Sequence, residues 1–354
     1  LEADGKKFLD TLLGFIPKLT SRASLFYGKE HPQEKVAIAQ LVLLPEISLA
    51  RKIKKLLDES TNRKPSNRIK ALIDKFNKDH NTSLTLDDFL NLDISANLKN
   101  YRIRLIGDLF TDAVSKAMNR LKAYFQSIVL NHLQEIESFV IPSLPGMFTR
   151  LVEEHLDRTG LIQLLDKTNP LAEVSHKRKV TFCGLGGIRE LYGDRPERAI
   201  HPSHFGRLCP LETPESIKIG LNLHFALGAK VEGGVIKVCY RNRRDNHEWL
   251  SPEDEDEKDY VITPWDYDRY KSAKKGDAIV REKPTHWEVV PGQFLGVAAA
   301  LIPFIAHDDM NRASMGAKYM KQALPLLHCE PPLIKTGYET KVGKESRLCV
   351  IAEK

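Results

Sequence analysis

The chain has 354 residues, 28% of them charged and 42% hydrophobic, with a formal net charge of +6. That length provides for two or three domains with separate cores, and no apolar run approaches the roughly 20 residues a membrane-crossing helix needs. The five cysteines are odd in number and lack a Cys-x-x-Cys pair, which argues against a disulfide framework or a zinc site and fits a reducing compartment.

The N-terminus, LEADGKKFLD, is polar and has no initiator Met or secretory pattern, as expected of a processed chain or an excerpt of a longer one. Residues 1–95 read as a mainly helical accessory region. Phe8, Leu9, Leu12 and Leu13 share one helical face, as do Leu49, Ile53, Leu56 and Leu57, and later Ile69, Leu72, Ile73 and Phe76. Thr85, followed by Asp87 and Asp88, starts a short helix with acids near its positive end. Basic clusters stand at Arg51–Lys55 and Arg63–Lys70. They fit a polyanion contact or solvated helix faces equally well.

From Tyr101 a strong helix is expected, since Ile106, Leu109, Phe110, Ala113, Val114, Ala117, Met118 and Leu121 keep the i, i+3, i+4 rhythm. A second helix carries Ile128, Val129, Leu133 and Ile136 and ends at Pro142 and Pro145. A third, with Phe148, Leu151, Val152 and Leu156, stops at Gly160. Residues 229–240 read as a hairpin about Gly233-Gly234. Residues 251–292 read as an exposed β-rich module with an acidic run, Glu253–Glu257. Val297–Ile305 reads as a buried strand, and Asp308 or Asp309 as the cap of a helix opening near Asn311.

Two stretches resist this periodic reading, Gln163–Leu221 and His307–Leu327. Long irregular segments inside a globular chain bend the backbone to present groups to something. The two are expected to form one surface. Its polar set is Gln163, His176, Lys177, Arg178, Lys179, Arg189, Arg207, Arg312, Lys318, Lys321 and Gln322. Such donors suit sugar-phosphate backbones, and an ordinary solvated surface accounts for them as well.

No complete active site is legible. His201 and His204 flank Pro202 with no third ligand at recognisable spacing, which argues against zinc. Asp308-Asp309 suit magnesium, though a helix cap explains them better. Gly184, Gly186 and Gly187 make no dinucleotide fingerprint, and Glu212 and Glu215 resemble a glycosidase pair only superficially.

A series of longer phrases carries a resemblance. They are Arg102-Ile103-Arg104, QLLDKTNPLAEVSHKRKV (163–180), GLGGI (184–188), HPSHFGRLCPLETPE (201–215), LIPFIAHDDMNRASMG (301–316), KQALPLL (321–327) and KTGYE (335–339). In this order they resemble the β subunit of bacterial-type multisubunit DNA-directed RNA polymerase, including its cyanobacterial and plastid forms, from about residue 100 onward. The resemblance implies a multidomain α+β fold. Its parts would be a helical lobe-like accessory region (1–95), protrusion-like helices (96–162), a fork region (163–227), a β-rich external module (228–296) and a return to the hybrid-facing region (297–354).

It also implies roles. Gln163, His176 and Gln322 would face nascent RNA, and Arg189 would belong to the fork loop. Lys179, Arg207, Glu215 and Lys318 would join the RNA- and DNA-facing set. Asp309, Asn311 and Arg312 would lie near the incoming nucleotide, with Arg312 on its phosphates. Catalytic Mg2+ would be held by aspartates of a β′ subunit. Further partners would be α subunits, the remainder of β, a sigma factor, template DNA, nascent RNA and NTPs, in bacterial cytoplasm or plastid stroma. The chain would be a middle portion of β, inactive alone. A non-catalytic nucleic-acid-binding scaffold derived from a polymerase is the alternative.

Two departures stand out. Ser216-Ile217-Lys218 replaces the usual Gly-Pro-Asn, putting a cation where a neutral amide is expected beside the RNA. In the rifamycin-pocket-like stretch, Gln163, Asp166 and His176 match, whereas Lys179, Thr181 and Cys183 stand where Arg, Ser and Leu are usual. Weakened rifamycin binding is expected.

Overall fold

The structure is a computed structural model that describes residues 35–58, 67–131, 144–188, 195–257, 262–263 and 285–345. The helix expected around Phe8–Leu13, the Arg63–Lys64 end of the second basic cluster, Leu133–Pro142, Arg189 and Cys349 lie outside those residues.

Helix and sheet are mixed, consistent with an α+β fold. Strands β1 (Lys35–Ala37) and β2 (Ala39–Leu43) come first, where the pattern had favoured helix. Val36, Ile38, Leu41 and Val42 suit a pleated surface, and β2 finds partners on both edges. It runs antiparallel to β3 (Tyr101–Arg104) and parallel to β5 (Lys179–Thr181), which pairs antiparallel with β6 (Asn222–His224). β1 pairs antiparallel with β4 (Ile162–Leu164). The long apolar cluster of the sheet gathers Leu41, Tyr101, Ile103, Val180, Phe182, Leu208 and Leu221.

Helices α1 (Pro45–Asp58), α2 (Asn67–His80) and α3 (Leu86–Asn91) close a separate core over Ile53, Ile69, Phe76 and Phe89. Thr85 caps α3 through a reciprocal bond pair with Asp88, satisfying two amides that a helix start leaves open. Tyr101–Arg104 is strand rather than helix. Helix α4 follows as one unbroken element (Ile106–Asn131), so Ile128 and Val129 belong to it and not to a second helix. Helix α5 (Leu144–Arg158) starts with Pro145 in its first turn and packs on α4 through Phe148, Val152 and Leu156. Gly160 follows it at φ +68°, the left-handed conformation that ends helices.

After α6 (Pro170–Lys177) and β5, the chain builds a second sheet. β7 (Ala229–Glu232) and β8 (Val235–Asn242) form the expected hairpin, with Gly233 and Gly234 both at positive φ. β9 (His247–Leu250) and β11 (His286–Glu288) pair antiparallel with β8, and β10 (Ile262–Thr263) runs parallel to β11. The acidic run is a helix, α7 (Pro252–Glu257), capped by Ser251. Two of its acids pair with arginines. Glu253 bonds Arg102 at 2.8 Å, and Glu255 pairs with Arg207 at 2.5 Å.

Val297–Ile305 is not a strand. It is short 3-10 turns around the fully buried Ala298 and Ala299, because their amides are used by a side chain described below. Helix α8 (Met310–Gln322) is capped by Asp309 as expected, and α9 (Glu339–Glu345) follows. Among the described residues, no helix is long and apolar enough to cross a membrane, and Cys183, Cys209, Cys239 and Cys329 are free.

Arg207 is fully buried. Its guanidinium donates to the carbonyls of Ser203, Ile236 and Leu250 as well as to Glu255. That accounts for its polar atoms and removes it from the expected nucleic-acid-facing set. Breaking a buried pair leaves an uncompensated charge. Glu255→Gln should therefore lower unfolding stability by about 3–5 kcal/mol, measured by urea denaturation. A loss below about 1 kcal/mol, the range of surface pairs, would contradict this assignment.

Candidate nucleic-acid interface

The basic run His176–Lys179 does not present one face. Lys177 pairs with Glu173 one turn earlier on α6, and Arg178 donates to the Ala226 carbonyl at 2.6 Å. His176 and Lys179, at the helix end and the start of β5, turn instead toward Gln163 on β4.

His176 is held at both ring nitrogens. The Asp166 amide donates to Nδ1 at 3.1 Å, so in the neutral ring the proton sits on Nε2, which donates to Gln163 Oε1 at 3.1 Å. Burial, then the charge of Lys179, pushes the imidazole below its usual value despite Asp166. It is neutral at pH 7 and serves as a hydrogen-bonding group. Asp166 is itself engaged by Thr168, whose hydroxyl and amide donate to Oδ1 and hold the carboxyl below its usual range. Lys179 is also pushed down, first by burial and then by Lys218 and Lys321.

Thr181 is buried, donates to Asn222 Oδ1 at 2.7 Å and accepts from the Cys183 amide. Of the rifamycin-pocket-like residues, Gln163, Asp166, His176 and Lys179 thus form one connected group, and Thr181 is spent internally.

The two irregular stretches do pack together. Asn169 caps α6 with its Oδ1, while its Nδ2 donates to the carbonyls of Met320, Lys321 and Ala323 at the end of α8. Ser314 donates to the Leu211 carbonyl. Ala313 and Ala317, one turn apart, turn the small side of α8 inward; Ala317 packs with Leu171 and Val174 of α6. The other side of α8 leaves Asn311, Arg312, Lys318, Tyr319 and Gln322 exposed. Arg312 and Gln322 are ten residues apart, about 15 Å along the axis. Among the described residues, the Arg312 guanidinium has one hydrogen-bond contact, to Met315 Sδ at 3.7 Å. Asp309 accepts the Asn311 amide at 3.1 Å, as a cap does. Glu215 is exposed on the loop before β6.

The joint between the stretches is Glu212, whose internal role no local pattern announces. It is 2% exposed. Oε1 accepts the amides of Ala298 (2.9 Å) and Ala299 (3.1 Å); Oε2 lies 3.5 Å from Lys321 Nζ and 3.4 Å from Ser175 Oγ. A Cβ at Gly296 would overlap Oε1, so only glycine fits there. Burial works against the charge, yet His224, Lys321 and the two amides outweigh it and hold the carboxyl below its usual range. His204 is buried on the Ala96 carbonyl and pushed down to about 4 by desolvation. Among the described residues, no group of three or more His, Cys, Asp or Glu is arranged to hold a metal.

This connected segment coincides with a family match. Residues 163–231 fit the family model for RNA polymerase Rpb2, domain 3. The DNA-directed RNA polymerase subunit beta of Solidesulfovibrio magneticus is 35% identical over 274 residues, 72% of this chain and 20% of the relative. The chain is a homologue of the RNA polymerase β subunit. The Chara vulgaris subunit is 34% identical over 293 residues (75% of this chain, 26% of the relative), and the Rhodopirellula baltica subunit 32% over 304 residues (81% and 24%). The chain thus spans about a fifth to a quarter of the β subunits it matches.

Because the Glu212 carboxyl is held down in the folded state, its stabilisation is complete above the unfolded carboxylate range, around pH 5, and lost as pH falls through the folded value. Glu212→Gln should lower the urea midpoint at pH 7, and the gap to the parent should narrow steadily toward pH 3. A gap independent of pH would mean that the charge of Glu212 is not what matters.

Proposed function

We propose that this chain is a β-subunit portion of a DNA-directed RNA polymerase that lines the main channel, contacts the RNA–DNA hybrid and helps position the incoming NTP. The observation that supports this best is the union of the two irregular stretches. Gln163, His176 and Lys179 are hydrogen-bonded together, and Asn169, which caps α6, ties that helix to the last turn of α8, whose outer side carries Arg312, Lys318 and Gln322. Neutral donors mixed with cations suit a sugar-phosphate backbone, which offers charge and acceptors but little sequence information.

In this reading His176 and Gln163 act as a pre-set donor–acceptor pair for RNA, and Lys179, Lys318 and Gln322 follow the backbone. Arg312, with Asp309 and Asn311 fixing its helix start, offsets the charge of the nucleotide triphosphate. Glu215 belongs to the same nucleic-acid side, and the fork-loop role of Arg189 falls outside the described residues. Mg2+, held by β′ aspartates, supplies the Lewis-acid chemistry. The assembly would contain β′, α subunits, the remainder of β and a sigma factor, in bacterial cytoplasm or plastid stroma.

Reconstitution of the polymerase with this chain tests the reading. Template-dependent RNA synthesis is expected; binding of nucleic acid without synthesis would favour a non-catalytic scaffold. In the active assembly, Arg312→Ala should raise the apparent KM for NTPs about tenfold or more, as loss of a charged contact of ~1.5–3 kcal/mol implies, with assembly intact. An unchanged KM would count against Arg312 as a triphosphate contact. With Lys179, Thr181 and Cys183 departing from the rifamycin-pocket pattern, the assembly should also resist rifamycin; full inhibition at ordinary drug concentrations would overturn that expectation.

A further inference from the structure

The sheet built by β7, β8, β9 and β11 has one face that the core does not use. Burial alternates along β8. Ile236, Val238 and Tyr240 are buried, and Tyr240 donates its hydroxyl to the Phe205 carbonyl at 3.1 Å. Lys237, Cys239 and Arg241 alternate with them and stand on the other side. The register carries that side to the neighbouring strands, because directly paired residues share a face. Lys237 pairs with Lys230 of β7, Cys239 with Trp249 of β9, and Arg241 with Trp287 of β11. Glu248 and Glu288 pair with Tyr240 instead, which puts both carboxylates on the inner side.

Two indoles therefore share the outer face, one on each side of β8 and roughly 12 Å apart at the backbone. Each has a cation over its ring. Lys230 Nζ lies 5.4 Å from the Trp249 centroid, and the Arg241 guanidinium lies 5.9 Å from that of Trp287. Trp249 is 47% exposed, a costly place for so large an apolar ring. Arg243 and Arg244, exposed in the turn between β8 and β9, adjoin this face. Together with Lys230, Lys237 and Arg241 they outnumber its acids, Glu232 and Asp245. Those acids are exposed members of ion pairs, Glu232 with Lys237 (3.0 Å) and Lys230 (3.8 Å), and Asp245 with Arg241 (3.3 Å). Exposed pairs are worth little, so the cations exchange readily to another anion.

We infer that this face binds single-stranded RNA, with bases stacked on Trp249 and Trp287 and phosphates held by the cations beside them. Stacking on a protein ring needs a base whose face is open, and a duplex keeps those faces occupied. Lysine and arginine neutralise the phosphates without reading the bases. An acidic polypeptide would satisfy the cations but would leave the indole faces without an aromatic partner. RNA is chosen over DNA because RNA is the strand that the polymerase reading above sets free, so that choice rests on that reading. The residues themselves belong to neither of the two irregular stretches.

The full chain would be titrated into a fluorescently labelled oligouridine of about 15 nucleotides and followed by anisotropy. Trp249→Leu should weaken binding about 5- to 150-fold, the worth of one base stacked on an aromatic ring. Trp249→Phe, which keeps a ring, should lose far less. Lys237→Gln should reduce the slope of log K against log salt by about 0.7, whereas Lys75→Gln, on the exposed side of α2, leaves both affinity and slope unchanged. Binding of a duplex RNA of the same length should not respond to Trp249→Leu. Parent binding that Trp249→Leu leaves intact would overturn the inference, as would equal losses in Trp249→Leu and Trp249→Phe. Displacement of the RNA by polyglutamate at equal charge would assign the face to an acidic protein, and tighter binding of oligothymidine would assign it to DNA; either result overturns it. A parent chain that binds no oligouridine overturns it too. Template-dependent synthesis by the reconstituted assembly judges the polymerase reading separately, so the two can fail independently.

Discussion

The interface depends on a buried carboxylate. Glu212 lies between two backbone amides on one side and Lys321 and His224 on the other. Through it α6, the loop before β6, β6 and the segment that leads into α8 share one charge. Desolvating a carboxylate is expensive, and it is tolerated only where fixed dipoles and cations replace the lost water. The 3-10 path of Gly296–Leu301 exists to supply those dipoles, which is why a stretch as apolar as Val297–Ile305 is not a strand.

The same arrangement sorts the cations. Lys177, Arg178 and Arg207 are absorbed by Glu173, the Ala226 carbonyl and Glu255. His176 is kept neutral by burial and its neighbours. What remains outward is a sparse set, Lys218 before β6 and Lys318 and Arg312 along α8, with Lys179 half-buried. A face built this way attracts a polyanion without a large field that would hold every polyanion equally well. The β-subunit relationship gives that chemistry a context.

Much of the fold was legible because it is local. The cap at Thr85, the hairpin at Gly233-Gly234, the stop at Gly160 and the cap at Asp309 each depend on a few adjacent residues. The errors are long-range. Residues 39–43 became a strand because β3 and β5, some sixty and one hundred and forty positions away, offered edges to pair with, and residues 35–37 because β4 did. Arg207 reads as a phosphate ligand until α7 brings Glu255 to it. Of the candidate site, the residue types and the union of the two stretches were readable from Gln163, His176 and the motif phrases. Glu212 was not: an acid between Leu211 and Thr213 looks like surface, and its burial is decided by Gly296, Ala298 and Ala299 far along the chain.

The central claim is that the two irregular stretches make one face against a polynucleotide. It is tested most directly by cross-linking. RNA carrying photoreactive uridines near its growing end, held in the assembled polymerase, should attach to this chain at peptides from both Gln163–Thr181 and Met310–Gln322. Attachment confined to one of these stretches, or only to residues elsewhere in the chain such as α1–α3, would contradict the account.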